Sequence, residues 1–94
     1  MTTSSISLGE STADGILHTG NTRISAVQVI SDGTNVATVI LYDNTAASGT
    51  KVFEGGCLGA TQSRLYEFNQ PIKCKNGIYL DIAGTGASVI VYTG

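Results

Sequence analysis

The chain has 94 residues, enough for one small domain and too few for a second core. Hydrophobic residues make up 41% and charged residues 13%, with a net charge of −2, which excludes wholesale disorder and a broad cationic footprint for nucleic acid. No apolar run approaches the roughly 20 residues of a membrane-spanning helix, and Met1-Thr2-Thr3-Ser4-Ser5 lacks the basic region and apolar stretch of a secretory signal.

The alphabet is one of strands and turns: 12 glycines, many threonines and serines, and abundant Val and Ile. Ile6 and Leu8 alternate with Ser5 and Ser7, which predicts a first edge strand, and Gly15 to His18 predicts a weak second. Arg23 to Ser31 is a strong strand, Asp32-Gly33-Thr34-Asn35 a turn, and Val36 to Tyr42 a second strong strand, together reading as a hairpin. Both strands carry apolar residues on both faces, which suits a sheet covered by a second sheet on one side and a neighbouring subunit on the other.

Asp43 to Thr50 is a polar loop and Lys51 to Glu54 a short strand. Gly55-Gly56-Cys57-Leu58-Gly59-Ala60 is expected to cross between sheets. Arg64-Leu65-Tyr66-Glu67-Phe68 alternates cleanly, and Pro71 is expected to stop that strand or open the next at an edge. Ile72 to Lys75 is a short strand, Asn76-Gly77 a tight turn, and Ile78 to Ile82 and Ala87 to Tyr92 a closing hairpin about Ala83-Gly84-Thr85-Gly86. Seven or eight strands with turns every 8 to 12 residues predict an all-β fold: an antiparallel β-sandwich of 7–8 strands over residues 1–94, jelly-roll-like or Ig-like.

Cys57 and Cys74 form no disulfide framework of the kind that small secreted domains need. Two reduced, half-buried thiols are the expectation, a single bridge between neighbouring strands the alternative. His18 is the only histidine, and no Cys-x-x-Cys accompanies it, so a zinc set is not expected. A Ser-His-Asp triad can be written from His18, many serines and Asp14, Asp32, Asp43 or Asp81, but no Gly-x-Ser-x-Gly elbow marks a nucleophile. The acids lack the pairing of a glycosidase and the Asp-x-Asp-x-Asp-Gly pattern of a calcium loop. Gly84-Thr85-Gly86 has no following helix and no Lys-Ser/Thr, so it reads as a turn and not as a phosphate loop. The expectation is therefore a non-enzyme without cofactors, engaging neither nucleic acid nor membrane.

What remains is interaction. Thr2, Thr3, Ser4 and Ser5, small and polar, precede the first strand and with Ile6 are expected to form an N-terminal arm, flexible or ordered by a partner. The loop residues Asp43, Asn44, Thr45, Ala46, Ala47 and Ser48 are the second expected contact element. Few surface charges and two-faced apolar strands predict a homo-oligomer.

Several segments also share an arrangement with a known group: Val29 to Asn35, Ala37 to Asn44, the small-residue loop ending Ser48-Gly49-Thr50, Ile72 to Tyr79, and Val89 to Tyr92. On these, the stretch from Ser25 to Gly94 resembles small virion proteins of tailed bacteriophages, especially phages of aquatic bacteria. The resemblance brings no catalytic or ligand-binding residue with it. It implies a β-sandwich, assembled in the host cytoplasm and located in the virion, that decorates or cements the head by bridging subunits of the major capsid protein or other virion proteins. The alternative is a small tail or fibre module that recognises a host-surface glycan or receptor, for which Tyr42-Asp43-Asn44 supplies an aromatic beside polar groups.

Overall fold

The computed structural model describes residues 6–59 and 63–93. These residues form eight strands: β1 (Ile6–Ser11), β2 (Gly15–Thr19), β3 (Thr22–Ile30), β4 (Ala37–Asp43), β5 (Thr50–Cys57), β6 (Ser63–Cys74), β7 (Gly77–Ala83) and β8 (Ser88–Thr93). They make two antiparallel sheets, a first in the order β1-β8-β3-β6 and a second in the order β2-β7-β4-β5. Pairing is nested: β1 with β8, β2 with β7, β3 with β6, β4 with β5. The chain is thus one long antiparallel ribbon, doubled back at the β4–β5 loop and rolled so that its lengths alternate between sheets. That is the jelly-roll order, and it decides between the two sandwich topologies compatible with the sequence.

Inward-facing residues close the space between the sheets. The first sheet contributes Ile24, Val27 and Val29 from β3, Val89 and Val91 from β8, and Cys74 from β6. The second contributes Ala37, Val39 and Leu41 from β4, Ile78 and Leu80 from β7, and Cys57 from β5. Central strands supply the fully buried aliphatic groups; edge strands add the buried Cys57 and Cys74 and the partly buried Leu8, Leu17, Val52, Phe53, Tyr66, Phe68 and Ile72. The period-2 alternation of each strand dictates this division.

Two expected hairpins are corrected. β3 and β4 lie in different sheets, as do β7 and β8, so Asp32–Asn35 and Gly84–Gly86 turn the chain from one sheet to the other. The Asp32 turn is satisfied within itself: its Oδ1 accepts the N–H groups of Thr34 and Asn35, each at 2.8 Å, and its Oδ2 accepts the Asn35 amide at 2.8 Å. A turn that holds its own shape needs no ladder beside it, so it can bridge the roughly 10 Å between sheets. The second crossing packs on the first. Gly84 has φ +118, and a Cβ there would strike the Val36 carbonyl, so both conformation and space require glycine.

At the other end of the slab the ribbon bends at Gly20-Asn21 and Lys75-Asn76, where the Gly20 N–H donates to the Asn76 carbonyl at 3.2 Å. The glycine-rich segment also differs from expectation: Gly55, Gly56 and Cys57 are part of β5, and the crossing begins at Leu58. Arg64–Phe68 and Ile72–Lys75, expected as two strands, are joined in one strand, β6, which ends at Cys74 and whose register against β3 slips between Glu67 and Ile72. Pro71 sits in that irregular stretch on the sheet edge, where its missing N–H costs no ladder bond.

Both cysteines are free and buried, and they face the core near opposite ends of the slab: Cys57 opposite Ala37, Cys74 opposite Thr22. Burial pushes the Cys74 thiol up to about 11, with the Asp43 charge adding to the shift, so it is neutral and poorly nucleophilic at pH 7.

Candidate functional site

The expected arm, Thr2 to Ser5, lies outside the described residues; Ile6 is the first residue of β1, in register with Thr93. The chain therefore enters and leaves the sandwich side by side, at the end that also carries the Gly20-Asn21 bend, the Lys75-Asn76 bend and the β4–β5 loop.

That loop is exposed at Thr45, Ala46, Ala47 and Ser48, as a contact element would need to be. Its polar groups are largely spent on its own shape. The Asn44 amide donates to the Ser48 carbonyl at 2.9 Å, its side-chain oxygen accepts the Thr45 N–H at 2.8 Å, and the Ser48 N–H donates to the Ala46 carbonyl at 2.8 Å. The Asp43 Oδ1 accepts the Asn76 N–H at 2.8 Å, tying the loop base to the β6–β7 bend. The Asn76 N–H holds the Asp43 carboxyl below the usual carboxylate range, despite some desolvation. Of Tyr42, Asp43 and Asn44, Asn44 is thus engaged within the loop and Asp43 with the β6–β7 bend.

The broad outer faces of the two sheets differ. Register places Ile16, Tyr79, Tyr42 and Lys51 in one row across the second sheet, and Asp81, Ile40 and Glu54 in the next. This face mixes aromatic and aliphatic groups with charge, and the Lys51–Glu54 ion pair at 3.0 Å lies on it. On the first sheet, one row runs Glu10, Ile90, Gln28, Leu65 and another runs Tyr92, Ala26, Glu67. Apolar Ile90, Tyr92, Ala26 and Leu65 surround Gln28, the acids Glu10 and Glu67 sit on the edge strands, and Leu65 is 51% exposed. A shallow hollow of about 280 Å³ lies among Ser25, Ala26, Gln28, Leu65, Glu67 and Tyr92. The sequence pattern predicted apolar residues on both faces of β3 and β4. It did not show that Ile90 and Leu65 flank Gln28 on either side, because β8, β3 and β6 are brought together only by the roll.

His18 sits on β2, with its Nε2 3.3 Å from the Asn21 carbonyl. Asp14 Oδ1 accepts the Ile82 N–H at 2.8 Å and Asp32 caps its own turn, so these two carboxylates have structural partners. Among the described residues, no three of His, Cys, Asp and Glu converge as a metal-holding group, and no helix is long and apolar enough to cross a membrane. The described surface offers two broad sheet faces, of which the outer face of the first sheet carries the exposed Leu65. No known protein family, curated protein or solved structure matches the chain.

Proposed function

We propose that the chain is a structural protein of a bacteriophage virion, a decoration or cement protein that stabilises the head by bridging capsid subunits. The observation that carries this reading is the outer face of the first sheet, where apolar Ile90, Leu65, Tyr92 and Ala26 surround Gln28, with acids on the edge strands. The molecule is a slab of 35 × 35 × 18 Å. Each broad face thus has room for a contact of about 800 Å² per partner, the size of a standard specific interface. At about 25 cal/mol per Å² of apolar area, repeated over many copies, such contacts stiffen a shell without any single one being strong.

Two further supports are the resemblance of Ser25–Gly94 to small phage virion proteins and the jelly-roll order, which recurs among viral coat and lectin domains. The second is analogy, since one fold hosts many functions. The partner is the major capsid protein or another virion protein, with copies of this chain beside one another. The glycan-binding alternative gains nothing from Tyr42-Asp43-Asn44, whose Asp is engaged by the β6–β7 bend and whose Asn is engaged in the loop.

The test is binding of the purified protein to heads that lack it, followed by heat and salt challenge. Wild type is expected to bind and raise the disruption temperature. Leu65→Lys, on an exposed position, is expected to keep its circular dichroism and lose binding at least tenfold. Undiminished binding by Leu65→Lys removes this face from the account. Failure of the wild type to bind heads, with binding to cells or a glycan array instead, overturns the cement function.

A further inference from the structure

We propose that Arg23 and Lys73 form a binding site for an oxyanion, a phosphate or carboxylate group, at one end of the first sheet's outer face. The two are direct register partners across β3 and β6, and both are exposed. Like charges placed opposite one another on neighbouring strands repel, with Cβ atoms about 5 Å apart. A sheet accepts such a pair more readily where an anion neutralises it. Among the described residues no carboxylate does so, because the only ion pair joins Lys51 to Glu54. The nearest acid in register on this face, Glu67, stands opposite Ala26, three residues farther along β3 and so about 10 Å away.

The surroundings suit an anion. Arg23 and Lys73 line an open hollow of about 460 Å³, together with Asn21, Thr22 and Thr93. The guanidinium presents a planar fork that matches two oxygens of a phosphate or carboxylate, the ammonium adds a mobile point charge, and the exposed Asn21 amide offers a neutral donor. Lys75 follows β6 at the same end, where the Asp43 carboxylate beside it offsets its charge and leaves Arg23 and Lys73 as the cationic pair. A net charge of −2 over the whole chain favours a small anionic group over a long polyanion. The site does not rest on the virion function, and its failure leaves that function untouched.

The experiment is an amide NMR titration of the full chain with sodium phosphate, with sodium acetate, and with sodium chloride at matched ionic strength. Phosphate or acetate is expected to give saturable shifts centred on Thr22, Arg23, Lys73 and Thr93; the stronger of the two identifies the preferred oxyanion. The R23Q/K73Q double variant is expected to weaken binding at least tenfold while its remaining spectrum stays native. Thermal melts give an independent measure: in low salt Lys73→Gln melts no lower than wild type, and phosphate raises the wild-type midpoint more than that of the variant. Equal shifts in chloride, or binding undiminished in R23Q/K73Q, overturns the site.

Discussion

The two long sides of the slab are closed by different means. Where β5 meets β6, Phe53 stands edge-on to Tyr66 at 5.0 Å and to Phe68 at 5.8 Å. The Tyr66 hydroxyl crosses between sheets, donating to the Gly56 carbonyl at 2.5 Å and accepting its N–H at 3.0 Å. Arg64 lies 5.3 Å from the centre of the same ring. A Cβ on Gly55 would come within 2.8 Å of Phe53, so the bare backbone makes room for the cluster. Among the described residues, the opposite side, where β1 meets β2, has Leu8 and Leu17 packed against the core and no aromatic pair. One side is clamped through side chains; the other depends on backbone pairing along two short strands. The clamped side should therefore hold the sheets together while the β1–β2 side opens first.

The sharpest way to break this contrast is Phe53→Ala, which removes the ring shared by both aromatic contacts. It should cost about 3 kcal/mol in denaturant unfolding. Tyr66→Phe keeps the ring and deletes the sheet-to-sheet hydrogen bonds; a loss of about 1–2 kcal/mol is expected, because the polar groups of Gly56 lose their partner. Leu17→Ala on the other side should cost about 1 kcal/mol. Amides of β1 and β2 should exchange with solvent before those of β4 and β5 in all three variants and in wild type. Equal costs for Tyr66→Phe and Leu17→Ala, with uniform exchange, would show that the sides do not differ.

The smallest effect is acid sensitivity at the turns. Backbone N–H groups of Asn35 and then Thr34, with the Asn35 side chain, hold the Asp32 carboxyl below its ordinary value of 3.8, and Asn76 does the same for Asp43. A folded-state value below the unfolded one means that the unfolded chain binds protons first as pH falls. The contribution to stability is therefore complete well above pH 3.8 and is lost as pH drops through the folded-state values. Replacing either aspartate by asparagine should flatten the fall in melting temperature below about pH 4.

Much of the strand inventory could be read from the chain, because inward valines and isoleucines alternate with small or polar residues along β3, β4, β7 and β8. Strand partners could not. Asp32-Gly33 carries the local chemistry of a hairpin, yet its carboxylate satisfies the turn so completely that the flanking strands are released to different sheets. Gly55-Gly56 looked like a connection because glycine weakens strands; it belongs to β5 because Tyr66 supplies from across the gap what a neighbouring strand would otherwise give. The candidate surfaces were legible only in part. The β4–β5 loop is exposed as its composition suggested, whereas the Ile90–Leu65 face and the Arg23–Lys73 pair join residues 25 and 50 positions apart that only the rolled ribbon brings together.

The most direct test of the proposed role is the number of copies of this protein per purified phage particle, measured by quantitative mass spectrometry against the major capsid protein. The account predicts a count in the hundreds, in a fixed ratio to the capsid subunit. A handful of copies would move the protein to the tail, and none would contradict a virion role outright.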